Sequence, residues 1–112
     1  MVKVQATFRE EHFGSIVERL VLIGVRGLTV MPAHRGEPSE AQRLVFRGGA
    51  YRPPFVPKVM LEWYGVDKDA DAVVRAIVHA CAGGVLGDGR IVIQPVEEAI
   101  RIRTGERGVG AV

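Results

Sequence analysis

Apolar and polar residues alternate from Val2 to Phe8, which is the pattern of a strand with one buried face. The period then changes. Phe13, Ile16, Val17, Leu20 and Ile23 recur at helical spacing, marking one apolar stripe, and Gly24 stands where a helix C-terminal cap would. Leu28 to Pro32 carries β-branched residues and predicts a second strand. Phe55 to Tyr64 predicts a third, with Val56, Val59, Leu61 and Trp63 near alternation and Lys58 and Glu62 on the other face. Asp67 reads as the N-cap of a second helix, with Asp69 and Asp71 at the positive end of its dipole. Ala70, Val73, Val74, Ile77 and Cys81 form that helix's apolar face, and Gly83-Gly84 ends it. Ile91-Val92-Ile93 predicts the fourth strand.

The order is β-α-β-β-α-β. It predicts an α+β, ferredoxin-like domain: a four-stranded antiparallel sheet with two helices on one face. All of 1–112 forms one domain on this reading. The strands carry more apolar positions than one helix-covered face needs, so an oligomer is expected. Residues 33–54 break the pattern. They are polar, carry Gly and Pro, and have no period. A stretch of about 20 such residues inside a compact domain is usually functional or disordered, the other reading being a simple hairpin insertion. A long mobile loop is predicted over 35–54, and a glycine-rich flexible tail over 104–112.

Composition narrows the function. A net charge of +2 is too small to argue for nucleic acid by bulk electrostatics. A single cysteine, Cys81, excludes a disulfide framework. No signal peptide stands at the N-terminus and no apolar run approaches the ~18 residues of a membrane span, so a soluble cytoplasmic protein without membrane insertion is expected. His12, His34 and His79 lack metal-ligand spacing. No Ser-His-Asp, Cys-His or paired-carboxylate arrangement stands out for catalysis.

The chemistry gathers in the C-terminal third. Gly87-Asp88-Gly89-Arg90 forms a tight glycine turn ahead of a short strand, and glycines let backbone N–H groups approach a ligand closely. Arg101 and Arg103 follow, two apart, which in an extended chain point the same way. Guanidinium groups bind phosphate oxygens bidentately. Together these predict a phosphate site, for a nucleotide. The plainer alternatives are an ordinary turn at 87–89, a surface charge at Arg90, and surface ion pairs of Arg101 and Arg103 with Glu97 or Glu98.

These residues carry a resemblance. Arg47-Gly48, Tyr51, Phe55, Pro57-Lys58-Val59, Gly87-Asp88-Gly89, Pro95-Val96, Ala99-Ile100-Arg101-Ile102-Arg103 and Thr104-Gly105-Glu106 are similar to the PII signal-transduction (nitrogen regulatory) family. The similarity runs in register and without gaps over nearly the whole chain. Each match alone is unspecific; jointly they are specific. The resemblance implies a homotrimer with adenine-nucleotide sites in the clefts between subunits. It implies no resident cofactor: ATP or ADP is the effector, with magnesium accompanying ATP. It also implies a long loop that docks on a target enzyme or membrane transporter, with Arg47 and Tyr51 in that loop. By the same resemblance Lys58 reaches phosphates or a 2-oxoglutarate carboxylate, Thr29 and Glu62 contact adenine, and Gly27 belongs to the site. A snorkelling lysine, two polar sheet-face residues and a turn glycine are the alternatives. Tyr51 matches a position that some relatives nucleotidylate; a contact aromatic at the loop stem is the other reading.

The chain departs from the family where Glu37-Pro38-Ser39 replaces a usual Gly-Arg-Gln. In the family that arginine contacts phosphates and that glutamine holds the magnesium shared with 2-oxoglutarate. Ser39 is the corresponding weak metal ligand here, acting only through ATP-bound magnesium. Gly83-Gly84-Val85 stands where threonine and lysine are usual, Arg90 replaces a lysine, and Arg52-Pro53-Pro54 stiffens the returning limb of the loop. The reading is a divergent PII-like sensor that binds adenine nucleotide and little 2-oxoglutarate. Its alternatives are a sensor of AMP, a cyclic nucleotide or bicarbonate, a slow ATPase in the same cleft, and a CutA-type metal-tolerance trimer.

Overall fold

The computed structural model describes residues 1–36, 56–82 and 89–112. The elements are β1 (Val2–Phe8), α1 (Phe13–Leu22, entered through a 3-10 turn at Glu10–His12), β2 (Thr29–Arg35), β3 (Val56–Gly65), α2 (Asp67–Cys81), β4 (Arg90–Pro95) and a 3-10 turn at Gly108–Ala111. The four strands form one sheet in the order β2-β3-β1-β4, every pair antiparallel. This is the predicted ferredoxin-like α+β arrangement.

Alternation divides the sheet cleanly. Val4, Ala6 and Phe8 of β1 and Leu61 and Trp63 of β3 point to one face and are buried with Ile16 and Leu20 of α1 and Val73 and Ile77 of α2. Both helices therefore lie on that face, because each has a single apolar stripe to hide. The register confirms the parity: Val4 pairs with Trp63 and Ala6 with Leu61. Helix α1 stops for a backbone reason. Gly24 adopts φ +92°, its N–H donates to the Val21 carbonyl, and the Val25 N–H donates to the Leu20 carbonyl. That is the Schellman pairing, which needs a residue free of the Cβ penalty at the left-handed position.

Several boundaries differ from the sequence reading. Strand β2 runs on to Arg35, so Ala33, His34 and Arg35, expected to open the loop, pair with Lys58, Pro57 and Val56. Pairing outweighs their irregular composition, and Pro32 is tolerated because β2 is an edge strand with one unpaired side. Asp67 is the first helical residue and not the cap; Val66 caps α2 without a side-chain bond. Asp67 instead lies 2.8 Å from the Met1 ammonium, whose hydrogen bond lowers its carboxyl pKa. Strand β4 is twice the predicted length, because β1 offers partners from Thr7 back to Val2.

The open face of the sheet is mixed. Lys3, Gln5 and Thr7 of β1 share it with Met60, Glu62 and Tyr64 of β3 by alternation. The Gln5 amide donates to Glu62 Oε1 at 3.2 Å and to Met60 Sδ at 3.1 Å, and the Tyr64 hydroxyl donates to Glu62 Oε2 at 2.8 Å. This patch is polar and internally bonded, while Met31 beside Met60 and Val92 beside Gln5 keep apolar positions on the same face. Exposed apolar side chains include Val92, which pairs with Gln5 on this face, Ile93 on the other side of edge strand β4, and Ile102 beyond it.

Residues 104–112, expected as a flexible tail, make backbone hydrogen bonds. The structure turns them back on the preceding segment: Arg101 N–H donates to Glu106 O at 2.8 Å, Gly105 N–H to Arg101 O at 2.7 Å, and Gly108 N–H to Ala99 O at 3.0 Å. Gly105 and Gly108 take φ +72° and +81° to make the reversal.

Candidate nucleotide-binding site

The predicted site residues fall into two groups at opposite ends of the sheet. One group stands where β1 ends and β3 and β4 begin. Lys58 pairs with Ala33 one step beyond the Phe8–Val59 pair. Arg90 pairs with Thr7, and Gly89 precedes it. Arg9, just past β1, and Arg35, the last residue of β2, lie at the same end. Cations from all four strand ends thus gather there, and only Lys58 and Arg90 were singled out from sequence.

The second group lies towards the other end. Thr29 opens β2 and is the direct cross-strand partner of Glu62, with Gly27 just before it. Lys58 and Glu62 share a face but sit four residues apart, about 13 Å along the strand. The C-terminal segment belongs to this second end. The Val96 N–H donates to the Met1 carbonyl, and Val109 and Val112 line a cleft of about 420 Å³ together with Gly27, Trp63 and Val66. Arg101 is tied to that segment by its guanidinium, which donates to the Gly110 carbonyl at 2.9 Å.

The structure therefore unites Thr29 with Glu62, and Lys58 with Gly89 and Arg90, but it does not bring Arg90 and Arg103 together in one chain. The six residues of β4 separate the two ends by about 17 Å.

Individual residues change standing. Lys58 is 2% exposed, so the snorkelling surface lysine is ruled out; it is strand-paired with Ala33 of β2. Glu62 is engaged on both oxygens, with Lys3 Nζ 4.0 Å from Oε1, and its carboxylate raises the Tyr64 phenol pKa through their hydrogen bond. Arg101 and Arg103 do not lie on an extended strand. Residues 102–104 form a turn, closed by the Gly105–Arg101 bond, so their side chains are not aligned by strand alternation. The Glu98 ion pair envisaged for them goes to Arg107, at 3.4 Å. Arg103 is exposed and makes no hydrogen bond or ion pair among the described residues. A Cβ at Gly89 would come within 2.9 Å of the Thr7 carbonyl, so the sheet itself demands glycine there. Gly27 meets open space, and nothing in the packing demands glycine at that position. Gly87, Asp88, Ser39, Arg47 and Tyr51 lie outside the described residues. Cys81 packs half-buried against the core, and burial pushes its thiol pKa up.

Sequence reasoning missed Gln5, Tyr64, Arg9 and Arg35. Alternation would have put Gln5 and Glu62 on one face, but only the register makes them partners. Among the described residues no three His, Cys, Asp or Glu side chains gather in a metal-holding group. No described helix is long and apolar enough to cross a membrane.

The sequence and the fold are both similar to those of known proteins. The family model described as Nitrogen regulatory protein P-II matches residues 1–106. The chain is 38% identical over 112 residues to the nitrogen regulatory protein P-II of Rhizobium meliloti, covering all of both chains. It is 40% identical over 112 residues to that of Cereibacter sphaeroides, again covering all of both. In structure it is similar to Arabidopsis thaliana PII bound to citrate, with a TM-score of 0.78 and 31% identity, covering 99% of this chain and 91% of that one. With matching sequence over its length and a matching fold, the chain belongs to the nitrogen regulatory protein P-II family of signal-transduction proteins.

Proposed function

We propose that this protein is a trimeric regulator that binds adenine nucleotide between subunits and, through the segment joining β2 to β3, switches a partner enzyme or transporter. Proteins of this family are regulators rather than enzymes, and a trimer is in keeping with it. One observation carries the reading: the candidate phosphate and base contacts are divided between two ends of one sheet. A nucleotide touching both groups needs the Lys58 and Arg90 end of one subunit and the Thr29, Glu62 and Arg103 end of the next. An allosteric switch of this kind requires ATP and ADP to favour different loop states.

The division is testable by complementation. Arg90→Ala and Arg103→Ala homotrimers are each expected to bind ADP weakly. Trimers reassembled from an equal mixture regain full-strength sites at about one interface in four, because an interface then joins one intact end from each parent. Calorimetry that finds no strong sites in the mixture would place both arginines in the same subunit's site.

The Glu37-Pro38-Ser39 departure favours a change of effector within the same scaffold. Sensing 2-oxoglutarate through Mg-ATP needs a metal ligand at the loop start and free backbone N–H groups. Ser39 is shorter than glutamine, and Pro38 has no N–H and disfavours the helical region for Glu37. Glu37 adds a negative charge beside a dianion, unfavourable by about 1 kcal/mol at 4 Å even in water. Little or no 2-oxoglutarate binding is expected with Mg-ATP present, while adenine nucleotide binds with micromolar affinity, about 8 kcal/mol. Titration with both ligands checks this, and AMP, a cyclic nucleotide and bicarbonate are the effectors to test next.

A further inference from the structure

The open face holds one arrangement that the phosphate chemistry leaves unused. Glu62 sits in a row across the sheet, with Thr29 beside it on β2 and Gln5 beside it on β1. Its two oxygens are held from two directions: the Gln5 Nε2 donates to Oε1 at 3.2 Å and the Tyr64 hydroxyl donates to Oε2 at 2.8 Å. Lys3 Nζ adds a cation 4.0 Å from Oε1. The Glu62 side chain is 13% exposed, so it is nearly buried and yet reachable from the open face. We propose that Tyr64 and Gln5 are positioning residues: they fix the Glu62 carboxylate as an acceptor of set direction, and so make the site select a base that carries an exocyclic amino group. This rests on the reading above in which Glu62 meets the nucleotide base.

The chemistry follows from counting donors and acceptors. An ionised carboxylate only accepts, with about four lone-pair sites on its two oxygens. Tyr64 and Gln5 occupy one on each, which leaves one per oxygen for a ligand. Facing a carboxylate, the Gln5 amide must turn its NH₂ towards it. An exocyclic amino group, as in adenine, meets this with an N–H. A base with a carbonyl at that position, as in hypoxanthine, meets it with a second acceptor, and in a nearly buried place neither oxygen finds a donor. Tyr64 is 41% exposed, and its ring does not depend on the hydroxyl for packing, so the hydroxyl can be removed with little effect on the fold.

The test compares ADP with inosine diphosphate, which differ at C6, an amino group against a carbonyl, and at the adjoining N1, which carries a hydrogen only in hypoxanthine. The intact trimer should prefer ADP by roughly tenfold or more, as expected for a hydrogen bond to a charged group. Tyr64→Phe and Gln5→Met should each lower this ratio several-fold, through weaker ADP binding at nearly constant inosine diphosphate binding. A merely structural role would weaken both ligands alike. Glu62→Gln serves as the reference: its amide offers a donor and an acceptor, and the ratio should collapse. An unchanged ratio in Tyr64→Phe and Gln5→Met alongside a collapsed ratio in Glu62→Gln overturns the proposal alone. An unchanged ratio in all three overturns it together with the base-contact role of Glu62.

Discussion

An Arg103→Ala variant is expected to lose about 1.5–3 kcal/mol of ADP binding, the range for a hydrogen bond to a charged group, which is more than about tenfold in Kd. Its melting temperature and its trimeric state should stay those of the parent. The argument is one of independence. Arg103 is exposed and bonds nothing among the described residues, so its removal takes nothing from the described fold. Arg101 makes the useful contrast. Its guanidinium holds the Gly110 carbonyl at 2.9 Å, so Arg101→Ala should weaken binding and also loosen the returned C-terminal segment. Calorimetry and light scattering on both variants separate the roles. Unchanged ADP affinity in Arg103→Ala would remove the residue from the site.

Leu61→Ala is expected to destabilise the protein by about 2–5 kcal/mol, the range for emptying a fully packed leucine site. Leu61 is 0% exposed. It stands in β3, which has a strand on each side, opposite Ala6 on one flank and Val30 on the other. Ala6 is too small to fill the gap, and Val30 is bound to the edge strand, so the cavity should stay largely open. Denaturant unfolding of the two proteins measures the difference. A loss below about 1 kcal/mol would mean the surrounding core collapses onto the site.

The fold was legible because both periods in the chain are strong and local. The alternation at Val2–Phe8 and the stripe from Phe13 to Ile23 name their elements without long-range information. What failed were the features decided between strands. Ala33 to Arg35 look like loop residues, and become strand only because β3 supplies partners. Counting positions strand by strand shows apolar residues on both faces; only register shows that Lys3, Gln5, Glu62 and Tyr64 form one polar patch on the open face, beside Met31 and Val92. The site was half legible for a similar reason. Residue types at Gly89-Arg90 and Arg101-Ile102-Arg103 announce phosphate chemistry, but spacing along a chain cannot say that the two groups stand at opposite ends of a sheet. Nor could the extended reading of Arg101 to Arg103 foresee the turn closed at Gly105.

The chain has a single tryptophan, Trp63, which is 8% exposed and lies over Gly65, where any side chain would strike its ring. Its indole is therefore a built-in optical reporter. Emission should be blue-shifted while the core is intact and move to the red when water reaches the ring. Alternation turns Trp63 away from Glu62, so ligands bound on the open face lie across the sheet from the fluorophore. The same cuvette signal can thus follow melting of the hydrophobic interior, and because Trp63 also lines the cleft beside Gly27, it reports on occupancy there as well; a Gly65→Ala chain, with the ring displaced, supplies the calibration for a partly wetted indole.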